Sequence, residues 1–329
     1  MFRAVQVDRR DENDTTVSVV DLEESALPEG DVTVDVSWST LNYKDGLVMK
    51  GLGGLVKTYP HVPGVDFAGT VRESRDARYA PGDGVILTGW RVGELHWGGY
   101  AERARVNGDW LVPLPEGLDA RAAMSIGTAG FSAMLAVMAL EEAGLTPDSG
   151  PVLVTGASGG VGSVACSLLV NGGYDVEGST GRESSHDYLA SLGVNTVLSR
   201  EEIEKPNGRP LNGERWAACI DSVGGSTLAN VLTRLRYGGA VAAIGLAGGN
   251  ELETTVIPFL LRGISLLGVD SVMCPAERRV TAWERLAKEL SRERLGEMTH
   301  EVTLDEVVTL GQKILDGEVR GRTLVNVGA

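Results

Sequence analysis

Thirty Lys and Arg against 45 Asp and Glu leave this 329-residue chain with a formal charge of −15, a field that repels nucleic-acid phosphates and anionic membrane surfaces. Hydrophobic residues at 43% can fill a sizeable core and charged residues at 23% keep the surface wet, which excludes disordered, collagen-like and small disulfide-stapled chains. The length is roughly twice that of a usual domain, so two lobes are expected.

From the N-terminus, no run is apolar enough for a signal peptide, and three cysteines without paired spacing imply a reducing, cytoplasmic setting. The run 32–40 alternates apolar and polar residues as a half-buried strand does. Pro81-Gly82-Asp83-Gly84 reads as a tight turn into a strand at 85–87. Asp119 can cap one helix running to about residue 142. Two uncharged stretches, 122–140 and 149–174, are taken as core and not as membrane spans, because Ser, Thr and Gly interrupt them. Beyond them strands at 152–154, 176–180, 196–198, 217–220, 240–244 and 265–269 alternate with helices at 161–171, 185–192 and 227–235. That alternation predicts parallel βαβ units, hence a doubly wound α/β sheet following a β-rich lobe. A charged amphipathic helix at 276–294, a short strand, a helix at 304–316 and a strand at 323–327 complete the expected order.

The run Val152-Leu153-Val154-Thr155-Gly156-Ala157-Ser158-Gly159-Gly160-Val161-Gly162 feeds a buried strand through glycines into a helix, so free N–H groups and the helix dipole face the turn. Gly156, Gly159 and Gly162 suit, in order, the turn, the approach of a pyrophosphate and close helix packing. An NAD site would place an acid at the end of the next strand. Here Ser179-Thr180-Gly181-Arg182 offers a guanidinium instead, which suits a 2′-phosphate and favours NADPH. Arg182 has an alternative in a surface pair with Glu183. Arg200 is a second candidate cation, with Glu201 and Glu202 as alternative partners.

Together with Leu41-Asn42-Tyr43-Lys44-Asp45, Pro63-Gly64-Val65-Asp66-Phe67-Ala68-Gly69, Trp97-Gly98-Gly99-Tyr100-Ala101-Glu102, Ser179 to Ser184 and Gly321-Arg322-Thr323-Leu324-Val325, this turn resembles the zinc-independent medium-chain dehydrogenase/reductase superfamily. Within it the chain is similar to the acryloyl-CoA reductases, a group also labelled quinone oxidoreductases. The resemblance implies a GroES-like catalytic domain over 1–124 completed by 299–329, and a Rossmann NADPH-binding domain over 125–298. It implies hydride transfer to Cβ of acryloyl-CoA and protonation at Cα, giving propionyl-CoA. An NADPH quinone oxidoreductase and a non-catalytic NADPH-binding sensor are the alternatives.

By the same resemblance Ser158, Gly159, Gly160 and Val161 contact the cofactor phosphates, and Thr180, Gly181, Arg182 and Arg200 surround the adenosine phosphate. Leu246, Leu260 and Ser271 line the nicotinamide side, and Arg322 reaches the cofactor from the C-terminal segment. For Leu246 and Leu260 ordinary core packing is the alternative. Tyr43 is the catalytic candidate, as hydrogen-bond or proton donor beside the nicotinamide; its alternative is packing alone, with water protonating Cα. Lys44 could tune the phenol only if the two side chains meet. Asp66 is expected to anchor its own turn. No metal site is expected, since no Cys precedes Cys166, Gly64 is followed by Val65-Asp66, and His61 and His96 lack ligand spacing. A homodimer joined at the edge strands around 265–269 is implied, and Val176-Glu177-Gly178 departs from the more apolar family strand.

Overall fold

A computed structural model describes residues 1–11, 14–205 and 208–329. These form two compact units: Met1–Thr128 with Ser271–Ala287 and Leu295–Ala329, and Ala129–Asp270 with Lys288–Arg294. In chain order the first unit opens with β1 (Phe2–Asp11), β2 (Asp14–Leu22), β3 (Val32–Thr40), α1 (Tyr43–Met49), β4 (Asp66–Ser74), β5 (Gly84–Thr88), β6 (Arg103–Val106), β7 (Leu111–Pro113) and the start of α2 (Ala120–Glu142). The second unit adds β8 (Val152–Thr155), α3 (Gly160–Asn171), β9 (Val176–Thr180), α4 (His186–Ser191), β10 (Thr196–Ser199) and α5 (Arg200–Glu204). It continues with β11 (Trp216–Asp221), α6 (Gly225–Leu232), β12 (Leu235–Ala243), α7 (Ile257–Arg262) and β13 (Ser265–Gly268). Then come α8 (Ala276–Glu289), α9 (Arg292–Glu297), β14 (Thr299–Thr303), α10 (Leu304–Leu315) and β15 (Arg322–Asn326).

In the first unit β1 and β2 form a ribbon, and a larger sheet runs β14-β15-β3-β4-β5-β7 with β6 also on β3. The half-buried alternation expected for 32–40 holds through the middle of β3, where Val34 and Val36 are buried and Asp35 and Ser37 are not, and fails at its ends. Val32, Thr33 and Val34 are all buried, as are Ser39 and Thr40, in a strand whose edges are taken by β4, β6 and β15. The C-terminal strand returns antiparallel to it, Leu324 opposite Thr40. Around β3 the core gathers Val34, Val36, Phe67, Val85, Leu87, Leu111 and Val325.

The second unit is the doubly wound fold itself. Its sheet runs β10-β9-β8-β11-β12-β13, every neighbour parallel. Renumbered within the sheet this is the 3-2-1-4-5-6 order, whose reversal between β8 and β11 marks the ligand crevice at the carboxyl ends of those strands. Glu177, the polar departure inside β9, is not a defect. Its carboxylate accepts from Arg215 Nε at 2.9 Å and from the Trp216 indole N–H at 2.7 Å, so the charge is paired as buried charges must be.

Three helix expectations shift. The helix placed at 120–142 is interrupted at Gly127, whose φ of 54° and ψ of −162° no helix accommodates. Of its apolar window 89% is buried inside the protein, so the stretch is core. The helix placed at 227–235 begins two residues earlier, after Gly224 at φ 73°, and has given way to β12 by Leu235. The single helix at 276–294 is two: α8 ends at Glu289, and α9 restarts where Ser291 Oγ accepts the Arg294 N–H at 3.4 Å, an N-cap passed over in the amphipathic pattern.

Candidate active site

At the carboxyl end of β8 the chain has no room for side chains. A Cβ on Gly162 would lie 2.3 Å from the Gly156 carbonyl oxygen, so only glycine lets α3 press onto the turn. Gly156 itself holds φ 60°. Gly159 is the N-cap of α3, and the N–H groups of the first helical turn, from Gly160 and Val161 onward, have no partners four residues back. Across the sheet reversal, Thr155 Oγ1 donates to Asp221 Oδ1 at 2.6 Å, while Asp221 Oδ2 accepts the Gly224 N–H at 2.8 Å. Burial pushes the Asp221 carboxyl up, against those two hydrogen bonds, which favour its charged form. The pair locks β8 to β11 at the crevice.

Beside this turn, at the end of β9, several predicted residues meet. Ser158 Oγ and Thr180 Oγ1 are 2.9 Å apart. Arg182 Nη2 donates to Ser158 Oγ at 3.1 Å, and its backbone N–H to Thr180 Oγ1 at 3.3 Å. The Arg200 guanidinium lies over Gly181, 2.9 Å from where a Cβ would stand. Glu202 does not pair with Arg200; its carboxylate accepts the Ser199 N–H at 2.8 Å to close the capping box of α5. Among the described residues Arg200 has no ion pair and is exposed. These groups can hold a diphosphate at the helix N-terminus and a further phosphate between two guanidiniums.

The first unit holds the other predicted residues. Tyr43 begins α1 and is 43% exposed. Behind it the N-cap Asn42 is held by two carboxylates, both with no exposure at all. Asp45 Oδ2 accepts the Asn42 N–H at 2.8 Å, and its Oδ1 accepts the Gly64 and Val65 N–H groups at 3.1 and 3.0 Å. Asp66 accepts from Thr40 N, Thr40 Oγ1, Asn42 Nδ2 and Thr128 N at 3.1, 2.7, 3.0 and 2.7 Å. Burial first, and the neighbouring Asp66 second, raise the Asp45 carboxyl to about 7. Tyr100 OH donates to the Thr40 carbonyl at 3.0 Å. Lys44 turns from Tyr43 to Glu94, 2.8 Å from Oε1.

Two family signatures lie along the chain: the alcohol dehydrogenase GroES-like domain over residues 28–116 and the zinc-binding dehydrogenase family over 160–288. A Ruegeria pomeroyi protein, acrylyl-CoA reductase AcuI, is 58% identical over 330 residues, all of both chains. The chain belongs to the acrylyl-CoA reductase family of the medium-chain dehydrogenase/reductases. Among solved family members, the Escherichia coli K-12 protein YhdH, with bound NADPH, is 55% identical with a TM-score of 0.96, covering 99% of this chain and 100% of its own. The Bacillus subtilis protein YhfP, with NAD bound, is 45% identical with a TM-score of 0.96, covering 99% of each chain.

Despite the name of the second signature, among the described residues no three of His, Cys, Asp and Glu stand where they could share a metal ion. His96 Nε2 is 2.7 Å from the Arg105 carbonyl, and burial pushes His61 down. Asp66 does not serve its own turn, as expected from sequence; it joins β3, α1 and α2, because the chain around it brings three sets of N–H and O–H donors to one buried point. Leu246 and Leu260 are 62% and 75% exposed, which removes the core reading of both. Arg322 lies in the first unit's interior, 2% exposed, with Nε donating to the Ser125 carbonyl at 3.1 Å. Ser271 is half-buried, its carbonyl accepting from Arg279 Nη2 at 3.4 Å. Sequence reasoning passed over Asp45 and Asp221. For Asp45 a signal existed: Asn42 and Asp45 stand at capping-box spacing.

The raised Asp45 pKa has a thermodynamic sign. A carboxyl higher in the folded than in the unfolded chain contributes stability that is complete below the unfolded value and lost as pH rises to the folded one. The stability difference between wild type and Asp45→Asn is therefore expected to move against wild type from about pH 4 to about 7 and to level off above it. Denaturant unfolding of both proteins across that range measures this; a difference independent of pH would refute the assignment.

Proposed function

We propose that this protein uses NADPH to reduce acryloyl-CoA to propionyl-CoA. The observation that carries the reading is the pair of guanidiniums at the end of β9, in a chain 58% identical along its whole length to an acrylyl-CoA reductase. When bound, NADPH supplies the hydride that adds to Cβ. The N–H groups of Gly160 and Val161 with Ser158 hold the pyrophosphate, as a helix N-terminus does, and Gly159, whose own N–H donates to the Gly156 carbonyl at 2.9 Å, lets it approach the backbone. Thr180, Gly181, Arg182 and Arg200 receive the 2′-phosphate. Leu246, Leu260 and Ser271 flank the nicotinamide.

Hydride addition leaves negative charge on the thioester oxygen, and this charge needs a hydrogen-bond donor. Tyr43 supplies that donor and passes its proton to Cα. Its exposed side leaves the phenol open to substrate, and the Asp45–Asn42–Asp66 network fixes the helix that carries it. Lys44 is paired with Glu94. The same reading makes the protein a cytoplasmic homodimer, supported by three buried free thiols and by β13 at the outer edge of its sheet. Exposed Val256 and Leu261 lie on the segment leading to that edge.

NADPH oxidation should be driven by acryloyl-CoA and not by a quinone; the reverse preference would discard the reading. Arg182→Ala should raise KM for NADPH roughly ten- to a hundredfold, the worth of a charge-assisted hydrogen bond, and leave NADH little changed; equal effects on both would remove Arg182 from the 2′-phosphate. Tyr43→Phe should lower the single-turnover rate about 10² to 10⁴-fold, the range of general-acid help, at unchanged NADPH affinity. A rate within about threefold of wild type would leave water as the proton source. In light scattering the native protein should have twice the chain mass and Leu261→Glu should be a monomer; a monomeric wild type would end the dimer proposal.

A further inference from the structure

Within the second unit, β8 and β11 separate at the crevice. Their ladder pairs Ala218 with Val152, Cys219 with Leu153 and Ile220 with Val154, and it ends there. One residue further on, Thr155 closes β8 and Asp221 closes β11, and side chains take over from the ladder. The Thr155 hydroxyl donates to Asp221 Oδ1 at 2.6 Å and accepts the Ser222 N–H at 3.1 Å. Ser222 Oγ in turn donates to the Thr155 carbonyl at 2.9 Å. Asp221 Oδ2 accepts the Gly224 N–H at 2.8 Å, at the N-cap of α6. The carboxylate at the centre of this clamp has no exposed surface.

The clamp holds the base of the glycine turn. Thr155 is followed by Gly156 at φ 60°, where a Cβ would stand 2.5 Å from Ser222 Oγ. Just beyond, Ala157 N–H donates to the Ser179 carbonyl at 2.9 Å, and Ser163 Oγ to the Ala157 carbonyl at 3.3 Å. The turn is therefore fixed from β11 on one side and from β9 and α3 on the other, and Ser158 to Val161 follow at once. Charge alone argues against an acid here. A carboxylate beside a diphosphate site repels the ligand, and burying it is costly unless its oxygens are satisfied. The hydrogen bonds that satisfy Asp221 are the ones that shape the turn. Asn could not replace it, since an amide nitrogen accepts nothing and would leave the Thr155 or the Gly224 side unserved. Thr180, Arg182 and Arg200 stand apart from the clamp: β9 and β11 flank β8 on opposite sides.

We propose that Asp221 is a positioning residue for NADPH: through Thr155 it holds the glycine turn in the shape that receives the pyrophosphate, and it does not serve the adenosine 2′-phosphate. The inference rests on the NADPH site proposed above and not on the acyl substrate. It carries a definite sign. An acid acting by charge alone would weaken NADPH binding, so its removal would tighten it; an acid acting by position does the reverse.

The test measures Kd for NADPH by its fluorescence, and for adenosine 2′-monophosphate, which has no pyrophosphate, by titration calorimetry. Asp221→Asn should raise the NADPH Kd at least about tenfold, the worth of a hydrogen bond to a charged group. The same variant should bind adenosine 2′-monophosphate within about threefold of wild type. Thr155→Val should reproduce both effects, and Thr155→Ser, which keeps the hydroxyl, should bind NADPH within about threefold of wild type. Should Asp221→Asn not fold, the two Thr155 variants carry the test. Unchanged or tighter NADPH binding in Asp221→Asn and Thr155→Val would overturn the positioning role. Equal losses for both ligands would overturn it too, leaving Asp221 as a strut of the fold. A wild type that binds NADPH no more tightly than adenosine 2′-monophosphate would instead overturn the placing of the pyrophosphate at this turn, and the inference with it.

Discussion

One buried carboxylate joins the parts of the first unit that matter for chemistry. Asp66 receives the end of β3 through Thr40, the start of α1 through Asn42 and the restart of α2 through Thr128. A carboxylate with no exposure is stable only when its oxygens are satisfied, and leaving it unpaired would cost several kcal/mol. The backbone around it is therefore obliged to bring donors inward, and the break at Gly127 serves that end: a Cβ there would stand about 3 Å from Asp66 Oδ2 and closer still to Arg322. The position of Tyr43 follows, since it is the first residue of a helix whose cap is held by Asp66 and Asp45 together.

The second unit solves a different electrostatic problem. A chain of charge −15 repels the polyanions it is proposed to bind, so attraction has to be generated locally. Backbone N–H groups at the start of α3 do this without any net charge, and they can come close because Gly156, Gly159 and Gly162 carry no side chains. Two guanidiniums add the only full positive charges assigned to the site. Placing Arg200 over Gly181 and Arg182 against Ser158 keeps both near one point, where two cations would otherwise separate. The hydroxyls of Ser158 and Thr180 link this point to the glycine turn.

Exposure completes the picture. Leu246 and Leu260 are apolar and face outward, contrary to what their side chains alone would favour. Each is a local conflict between residue and place, and such conflicts concentrate where a protein meets a ligand or a partner. Arg279 shows the reverse: a cation fully enclosed because backbone carbonyls converge on it from two segments.

Local pattern by itself determined the alternation of strand and helix from residue 152 onward, the glycine turn, and the cations at 182 and 200. These are short-range matters: periodicity, glycine's freedom and the chemistry of a strand end are written within a dozen residues. Even there, helix ends slipped where a serine cap or a paired glycine overrode amphipathic period, as at Ser291 and Gly224. Tertiary structure alone decided that both ends of β3 are buried, that Glu177 is matched by Arg215 and Trp216, and that Asp66 binds donors at Thr40, Asn42 and Thr128. Those partners lie from 24 to 62 residues away along the chain. Burial, and with it the raised Asp45 pKa, exists only once such distant segments have excluded water together, which no single stretch of sequence can do.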